Sequence, residues 1–164
     1  MISHIVAASQ NNVIGIRGGM PWHLPDDFCH FKNLTWAMPI IMGRRTYESM
    51  KGILPGRINI IVTSNKEWRV SDAFVVHDIS SALEKAREAD TKEIFVIGGG
   101  KIFNETMHLA NRIYLTRVHV TLEGDTVYPQ PEPEQWELVF SQDHPADARH
   151  AYSFTFETWE RKHR

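Results

Sequence analysis

Short, β-branched apolar runs alternate with segments of helical periodicity along most of this chain, and that alternation narrows the fold more than any other property. Residues 2–8, 39–42, 58–62, 74–76, 93–97 and 113–120 end in turn or helix-start signals and have the length and composition of buried strands. Between them, 25–34, 44–50, 80–89 and 101–110 read as helices. Strands alternating with helices predict an α/β protein with a mostly parallel central sheet flanked by helices. The end of the chain departs from this. Trp136, Leu138 and Phe140 alternate with polar residues, as do Tyr152, Phe154 and Phe156, across a turn-rich stretch 143–150. That pattern predicts a C-terminal antiparallel hairpin added to the sheet. Pro129, Pro131 and Pro133 form a rigid lead-in too brief for a domain boundary. Residues 11–19 carry three glycines without periodicity and are expected to be a loop by the end of the first strand, where long loops often act as lids.

At 164 residues the chain suits one domain spanning 1–164, able to bury about two-thirds of its unfolded surface without metal or disulfide. Lys and Arg number 18 against 20 Asp and Glu, mixed along the chain for a net charge of −2. That leaves no basic footprint for nucleic acid or an anionic membrane. The single cysteine, Cys29, reads as a packing residue; it excludes an internal disulfide framework and a Cys-rich zinc site, and it suits a reducing compartment. Residues 1–9 lack a basic start and a long apolar run, and no stretch approaches the roughly 20 apolar residues of a helical span, so a cytoplasmic protein is expected. Nine histidines form no HExxH pattern and no compact ligand set; they read as scattered surface residues, and no metal is expected.

A helix beginning near Pro25 puts Leu24, Asp27, Phe28, Phe31 and Leu34 on one stripe that should meet the core, with Asp26, His30 and Asn33 facing water. Both acids could simply be first-turn residues favoured by the helix dipole. For Asp26 that suffices. Asp27 lies on the apolar stripe, where an unpaired charge is strongly unfavourable, so it needs a partner from the protein or from a ligand.

Ligands of open α/β sheets bind outside the carboxyl ends of the strands. Three expected strand ends here carry phosphate-suited residues: Gly43-Arg44-Arg45-Thr46, Thr63-Ser64-Asn65-Lys66 and Gly98-Gly99-Gly100-Lys101. Singly, such glycines make turns and paired arginines make solvated faces. Cations at two helix starts oppose the dipole unless an anion joins them, and their coincidence at one edge points to a polyphosphate ligand. Neither the Rossmann nor the P-loop fingerprint is present. Leu54-Pro55-Gly56-Arg57 places an arginine at a strand start, either to grip a carboxylate through two parallel hydrogen bonds or as an ordinary surface residue.

Taken in order, Ile5-Val6-Ala7-Ala8, Val13-Ile14-Gly15, Met20-Pro21-Trp22-His23-Leu24-Pro25-Asp26-Asp27, Phe31-Lys32, Ile41-Met42-Gly43-Arg44-Arg45-Thr46-Tyr47-Glu48-Ser49, Leu54-Pro55-Gly56-Arg57, Val96-Ile97-Gly98-Gly99-Gly100, Leu115-Thr116 and Glu123-Gly124-Asp125-Thr126 resemble the bacterial-type dihydrofolate reductases over nearly the whole chain. The resemblance implies reduction of 7,8-dihydrofolate to 5,6,7,8-tetrahydrofolate with NADPH, by hydride transfer to pterin C6 and protonation of N5, in support of one-carbon metabolism. It implies a monomer that binds dihydrofolate and antifolate inhibitors. Catalysis would fall to Asp27, Met20, Trp22 and Thr116, with Asp27 accepting hydrogen bonds from pterin N3 and the 2-amino group. Ile5, Phe28, Phe31, Met50, Leu54 and Ile97 would wall the pterin and aminobenzoyl rings, though each alone also reads as core. Arg57 would hold the α-carboxylate of the glutamate tail, with Lys32 near it.

For the cofactor, the resemblance implies that Ala7, Ile14, Gly15 and Met20 enclose the nicotinamide. Gly43, Arg44, Arg45, Thr46 and Ser49 would meet the phosphates. Ile97, Gly98, Gly99, Gly100, Lys101, Ile102 and Phe103 would surround the pyrophosphate, with a cis peptide between Gly98 and Gly99. Ser64 and Lys101, with Thr63 and Asn65 beside them, would hold the 2′-phosphate. The chain departs from its relatives in four places: Lys101 stands for an arginine, Phe103 for a tyrosine, and Gly52, beside Lys51, for a second arginine near the tail. Arg149 replaces the serine that alternates with Asp125 in holding the Met20 loop, so a second locked loop state is not expected. The rival readings are a pyrimidine reductase of riboflavin synthesis, which needs no Asp27 and Arg57 pairing, and a noncatalytic folate- or nucleotide-binding module.

Overall fold

The computed structural model describes residues 1–15, 22–50 and 52–162. Met20 and Lys51 lie outside the described residues. The chain runs β1 (Ile2–Ala8), β2 (Val13–Gly15), α1 (Pro25–Thr35), β3 (Pro39–Gly43), α2 (Arg44–Ser49), β4 (Ile58–Val62), β5 (Phe74–Val76), α3 (Ile79–Arg87), β6 (Ile94–Gly98), α4 (Gly100–Thr106), a 3₁₀ turn Met107–Leu109, β7 (Arg112–Val118), β8 (Thr126–Val127), β9 (Trp136–His144) and β10 (Phe154–Arg161). Eight strands form one sheet in the order β5-β4-β3-β6-β1-β7-β10-β9. The pairs from β5 to β7 are parallel, and β10 runs antiparallel to both β7 and β9.

The strands form where they do because both faces of the sheet are covered. On one face Val6, Ala8, Ile41, Ile60, Val96, Ile113 and Leu115 meet Ala82, Leu83 and Ala86 of α3 and Ile102 and Phe103 of α4. On the other, Ile5, Ile40, Met42, Ile61, Phe95 and Tyr114 receive Phe31 and Leu34 of α1, with Met50 and Leu54. Helix α3 starts at Asp78, whose carboxylate accepts the Ser81 amide at 2.7 Å, and ends on Lys85 and Arg87, the polarity a helix dipole favours.

Four expectations need correction. Residues 11–19 are not all loop, because Val13–Gly15 pairs with Thr126–Val127 in a separate two-stranded ribbon. A strand of three residues is too short to show a period, and its partner lies far along the chain. The helix expected over 101–110 tightens into the 3₁₀ turn at Met107, and the strand expected to reach 120 ends at Val118. In β9, Trp136 is buried, yet Leu138 and Phe140 are 45% and 50% exposed. β9 is the outermost strand, so past Trp136 its alternation has no layer to face.

The order of strands creates a switch point. From β1 the chain reaches β3 by leaving a slot that β6 later fills, while β7 joins the other side of β1. Met42 is in register with Gly98, and Ala7 with Thr116, so the carboxyl ends of β3, β6, β1 and β7 share one edge. No helix among the described residues is long and apolar enough to cross a membrane.

Candidate active site

Helix α1 begins with Pro25, which has no amide hydrogen to leave unpaired, and the Asp27 amide donates to the Leu24 carbonyl at 3.0 Å. The expected stripe meets the core only at its ends. Leu24 is buried and Phe31 and Leu34 pack on the sheet, but Phe28 is 52% exposed, its ring 5.6 Å from that of His23. Asp27 therefore stands between a packed core and an uncovered apolar strip. Its partner within the protein is Thr116 of β7, whose Oγ1 donates to Oδ1 at 2.6 Å. Burial pushes the Asp27 carboxyl above the usual carboxylate range, and the Thr116 hydrogen bond draws it part of the way back. Nearby, Trp22 is buried and its Nε1–H has no hydrogen-bond partner among the described residues. An orphaned buried donor is costly, and a bound ligand or water relieves it.

On the helix's expected wet side Asn33 is exposed, while His30 is half-buried, its ring stacked on Phe156 at 4.0 Å. Cys29 is exposed, not the core packing residue expected. Nor are the histidines all on the surface. His4 is fully buried between the Tyr128 hydroxyl and Thr106 Oγ1, each at 2.8 Å, and His150 is buried too. Both His4 contacts, and the one His150 makes with the Asp26 amide, come from more than a hundred residues away, where no local pattern could reveal them.

Of the expected ring-wall residues, Ile5, Phe31, Met50, Leu54 and Ile97 share one apolar cluster, and Phe28 lies beyond it. Arg57 is no loose surface arginine. Its Nε donates to Thr35 Oγ1 at 2.9 Å, its Nη1 to the Pro55 carbonyl and its Nη2 to the Lys32 carbonyl at 3.4 Å, with Trp36 5.3 Å beneath it. Thr35, a bracing residue that sequence reasoning missed, is fully buried at the end of α1. The Lys32 side chain is exposed.

At the shared strand edge, α2 and α4 start at Gly43 and Gly99 with no side-chain cap and no acid in the first turn. Arg44 leans on Glu48 at 3.5 Å and over Trp68 at 4.9 Å; Arg45 is exposed, and Lys101 sits 3.9 Å from Glu105 with 84% of its side chain exposed. Gly98 adopts φ +126°, a conformation side-chain-bearing residues rarely take, and its peptide to Gly99 is cis, as the resemblance implies. A Cβ on Gly100 would come within 2.5 Å of Thr126 Cγ2, so glycine is what lets the 126–128 segment close over this turn. Ile102 and Phe103 are buried, and Phe103 packs against the rings of His4 and Tyr128 rather than facing solvent. Ala7 and Ile14 are half-buried, and Ser49 hydrogen-bonds the Thr46 carbonyl. Beyond β4, Thr63 Oγ1 accepts the Asn65 amide at 3.2 Å while Ser64 and Asn65 stay exposed. Arg149 is exposed, its amide held by Asp147.

A switch-point edge gathering cations and close-approach glycines, beside a desolvated acid on an apolar wall, defines an α/β nucleotide-using enzyme. The model of the dihydrofolate reductase family matches residues 1–161. The chain is 40% identical over 162 residues to dihydrofolate reductase type 3 of Salmonella typhimurium, covering 99% of each. It is 37% identical over 162 residues to the dihydrofolate reductase of Bacillus subtilis, covering 99% of this chain and 95% of that one. The solved structure of dihydrofolate reductase from Enterococcus faecalis complexed with NADP(H) and RAB-propyl matches with a TM-score of 0.88 at 34% identity, covering 99% of this chain and 97% of the other. The chain belongs to the dihydrofolate reductase family.

Proposed function

We propose that this chain performs its family's reaction, NADPH-dependent reduction of 7,8-dihydrofolate to tetrahydrofolate, with Asp27 as the group that reads the pterin. The observation that carries this reading is the Asp27 carboxylate, desolvated, hydrogen-bonded to Thr116 at 2.6 Å and set beside an exposed apolar strip. One carboxylate oxygen is taken by Thr116, and the group accepts from the pterin N3 and 2-amino donors. Ile5, Phe28, Phe31, Met50, Leu54 and Ile97 wall the rings. Arg57, already oriented by Thr35 and two carbonyls, holds the α-carboxylate of the tail with Lys32 near it. Trp22, whose buried Nε1–H needs an acceptor, suits a water or substrate oxygen at the same site.

The residues present fit NADPH. Arg44, Arg45 and Thr46 with Gly43 and Ser49 meet the phosphates, and Gly98, Gly99, Gly100, Lys101, Ile102 and Phe103 form the turn beside the pyrophosphate. Thr63, Ser64, Asn65 and Lys101 would read the 2′-phosphate, and Ala7, Ile14 and Gly15 with Met20 would enclose the nicotinamide. When bound, NADPH supplies the hydride to pterin C6. Asp27 grips the far edge of the ring and does not reach N5; it orients and polarises the pterin while water delivers the proton. The Met20 loop admits or excludes that water.

We further propose that residues 1–164 act as one domain and as a monomer, in the cytoplasm, with antifolates as inhibitors and without nucleic-acid or membrane partners. The mixed charge and the single exposed cysteine support this. The test follows the nicotinamide absorbance band as NADPH meets dihydrofolate. Expected is a loss of the band that requires both compounds and stops with an antifolate. Binding of both compounds with no loss of the band overturns the catalytic reading.

A further inference from the structure

Helix α1 has an unusual start. Its N-cap residue is Leu24, which offers no side-chain acceptor, and Pro25 has no amide hydrogen. The amides of Asp27 and Phe28 both donate to the Leu24 carbonyl, at 3.0 and 3.2 Å, so the Asp26 amide is left for an acceptor from elsewhere. That acceptor is His150, 124 residues away: Asp26 N–H donates to His150 Nε2 at 3.2 Å.

The imidazole is held for this task. His150 is 2% exposed and packs against Phe154, with ring centroids 5.3 Å apart. It closes a tight turn in which the Asp147 amide donates to the His150 carbonyl at 3.0 Å and the His150 amide to the Asp147 carbonyl at 3.2 Å. On the ring, Nδ1 lies 2.8 Å from Asp147 Oδ1. An ionised carboxylate only accepts, so the proton sits on Nδ1 and Nε2 presents its lone pair to an amide that only donates. Both contacts are satisfied by the neutral Nδ1–H tautomer and by no other. The Asp26 carboxylate, 3.8 Å from Nε2 and 3.9 Å from His144 Nδ1, lies outside hydrogen-bond range of both.

We propose that His150 is a positioning residue for Asp27, acting as an N-terminal cap supplied from a distant part of the same chain. This rests on the reading of Asp27 given above. The first turn of α1 is tied at adjacent residues: Asp27 to the central strand β7 through Thr116, and Asp26 to the β9–β10 connection through His150. Two ties on neighbouring residues fix the rotation and height of the turn, and so the direction of the carboxylate that accepts from the pterin. A group that must present its oxygens to two donors at once is sensitive to small displacements.

The test compares His150→Phe, which keeps the ring's bulk and loses the acceptor, with His150→Gln, whose amide oxygen can replace it. With NADPH saturating, His150→Phe should raise KM for dihydrofolate by about fivefold, the equivalent of one lost N-cap hydrogen bond, with a smaller change in kcat. The dissociation constant of NADPH should stay unchanged, and His150→Gln should restore most of the loss. Equal weakening of NADPH and dihydrofolate, or no recovery with glutamine, overturns the inference and leaves His150 a packing residue. Should the phenylalanine variant not fold, ¹⁵N spectra of the unaltered protein's histidine side chains decide, since a proton found on Nε2 refutes the cap directly. Asp27→Asn is assayed alongside. Normal activity there removes the reading of Asp27 itself, whereas its loss together with an unaffected His150→Phe enzyme removes only the cap.

Discussion

Replacing Asp27 by asparagine keeps the shape of the side chain and the acceptor facing Thr116 Oγ1, but turns the second oxygen into a donor that confronts the pterin's own N–H groups. A hydrogen bond to a charged group is worth about 1.5 to 3 kcal/mol, and leaving its partner unsatisfied adds a comparable cost, so the loss should be at least about 3 kcal/mol. That is a fall in kcat/KM of about a hundredfold or more at neutral pH. Initial rates with saturating NADPH, taken across pH, measure it, and activity should recover in part in acid, where dihydrofolate arrives already protonated. A variant within a few-fold of the parent at neutral pH would refute the assignment. The same change should stabilise the fold. Burial raises the Asp27 carboxyl above its unfolded value of 3.8, so the folded chain binds that proton more tightly and loses stability as pH rises through the window between the two values. Above that window the full penalty persists. Asp27→Asn removes it, so the denaturation midpoint should be higher than the parent's at neutral pH and the difference should vanish below about pH 3.8. An unchanged midpoint at neutral pH would mean the carboxyl is not desolvated.

Arg57→Lys keeps charge but loses the planar fork and its brace on Thr35, and should raise KM for dihydrofolate about tenfold while barely affecting a pterin substrate without the glutamate tail. Joint alanine replacement of Ser64 and Lys101 should weaken NADPH far more than NADH in equilibrium titrations, and equal weakening would place the 2′-phosphate elsewhere. His4 is lowered from 6.5 to about 3, first by burial and then by the charge of Arg161. The neutral form is the folded form, so stability is complete above pH 6.5 and falls toward pH 3 by about 1.4 kcal/mol per pH unit from this group, a slope that denaturation of a His4→Gln variant should lack.

The parallel strands were legible because burial on both faces leaves an unbroken apolar run, as in 58–62, whose bounds match the structure. Periodicity reports the conformation of a segment without saying what covers it. Leu138 and Phe140 have the alternation of a half-buried strand and stand in the open, and Phe28 has the phase of a core residue and faces the uncovered strip. Asp27 was conspicuous because its charge contradicts its stripe, and Thr116 came from family resemblance. His150, Thr35 and the β2–β8 ribbon were invisible for a common reason: each depends on a partner brought near only by the completed topology.

The slot left beside β1 carries a cost during synthesis. β1 pairs with β6 through Ile2 and Ile94 and with β7 through Ser3 and Arg112, so it is made well before either neighbour and waits for both. Until then an apolar ribbon with unpaired backbone on both sides waits in the nascent polypeptide, a template for sticking to other chains. Closing loops of that length also slows folding relative to chains with local pairings. The arrangement that puts a strand at the heart of the sheet therefore leaves that strand's backbone unpaired until the second half of the chain has been made.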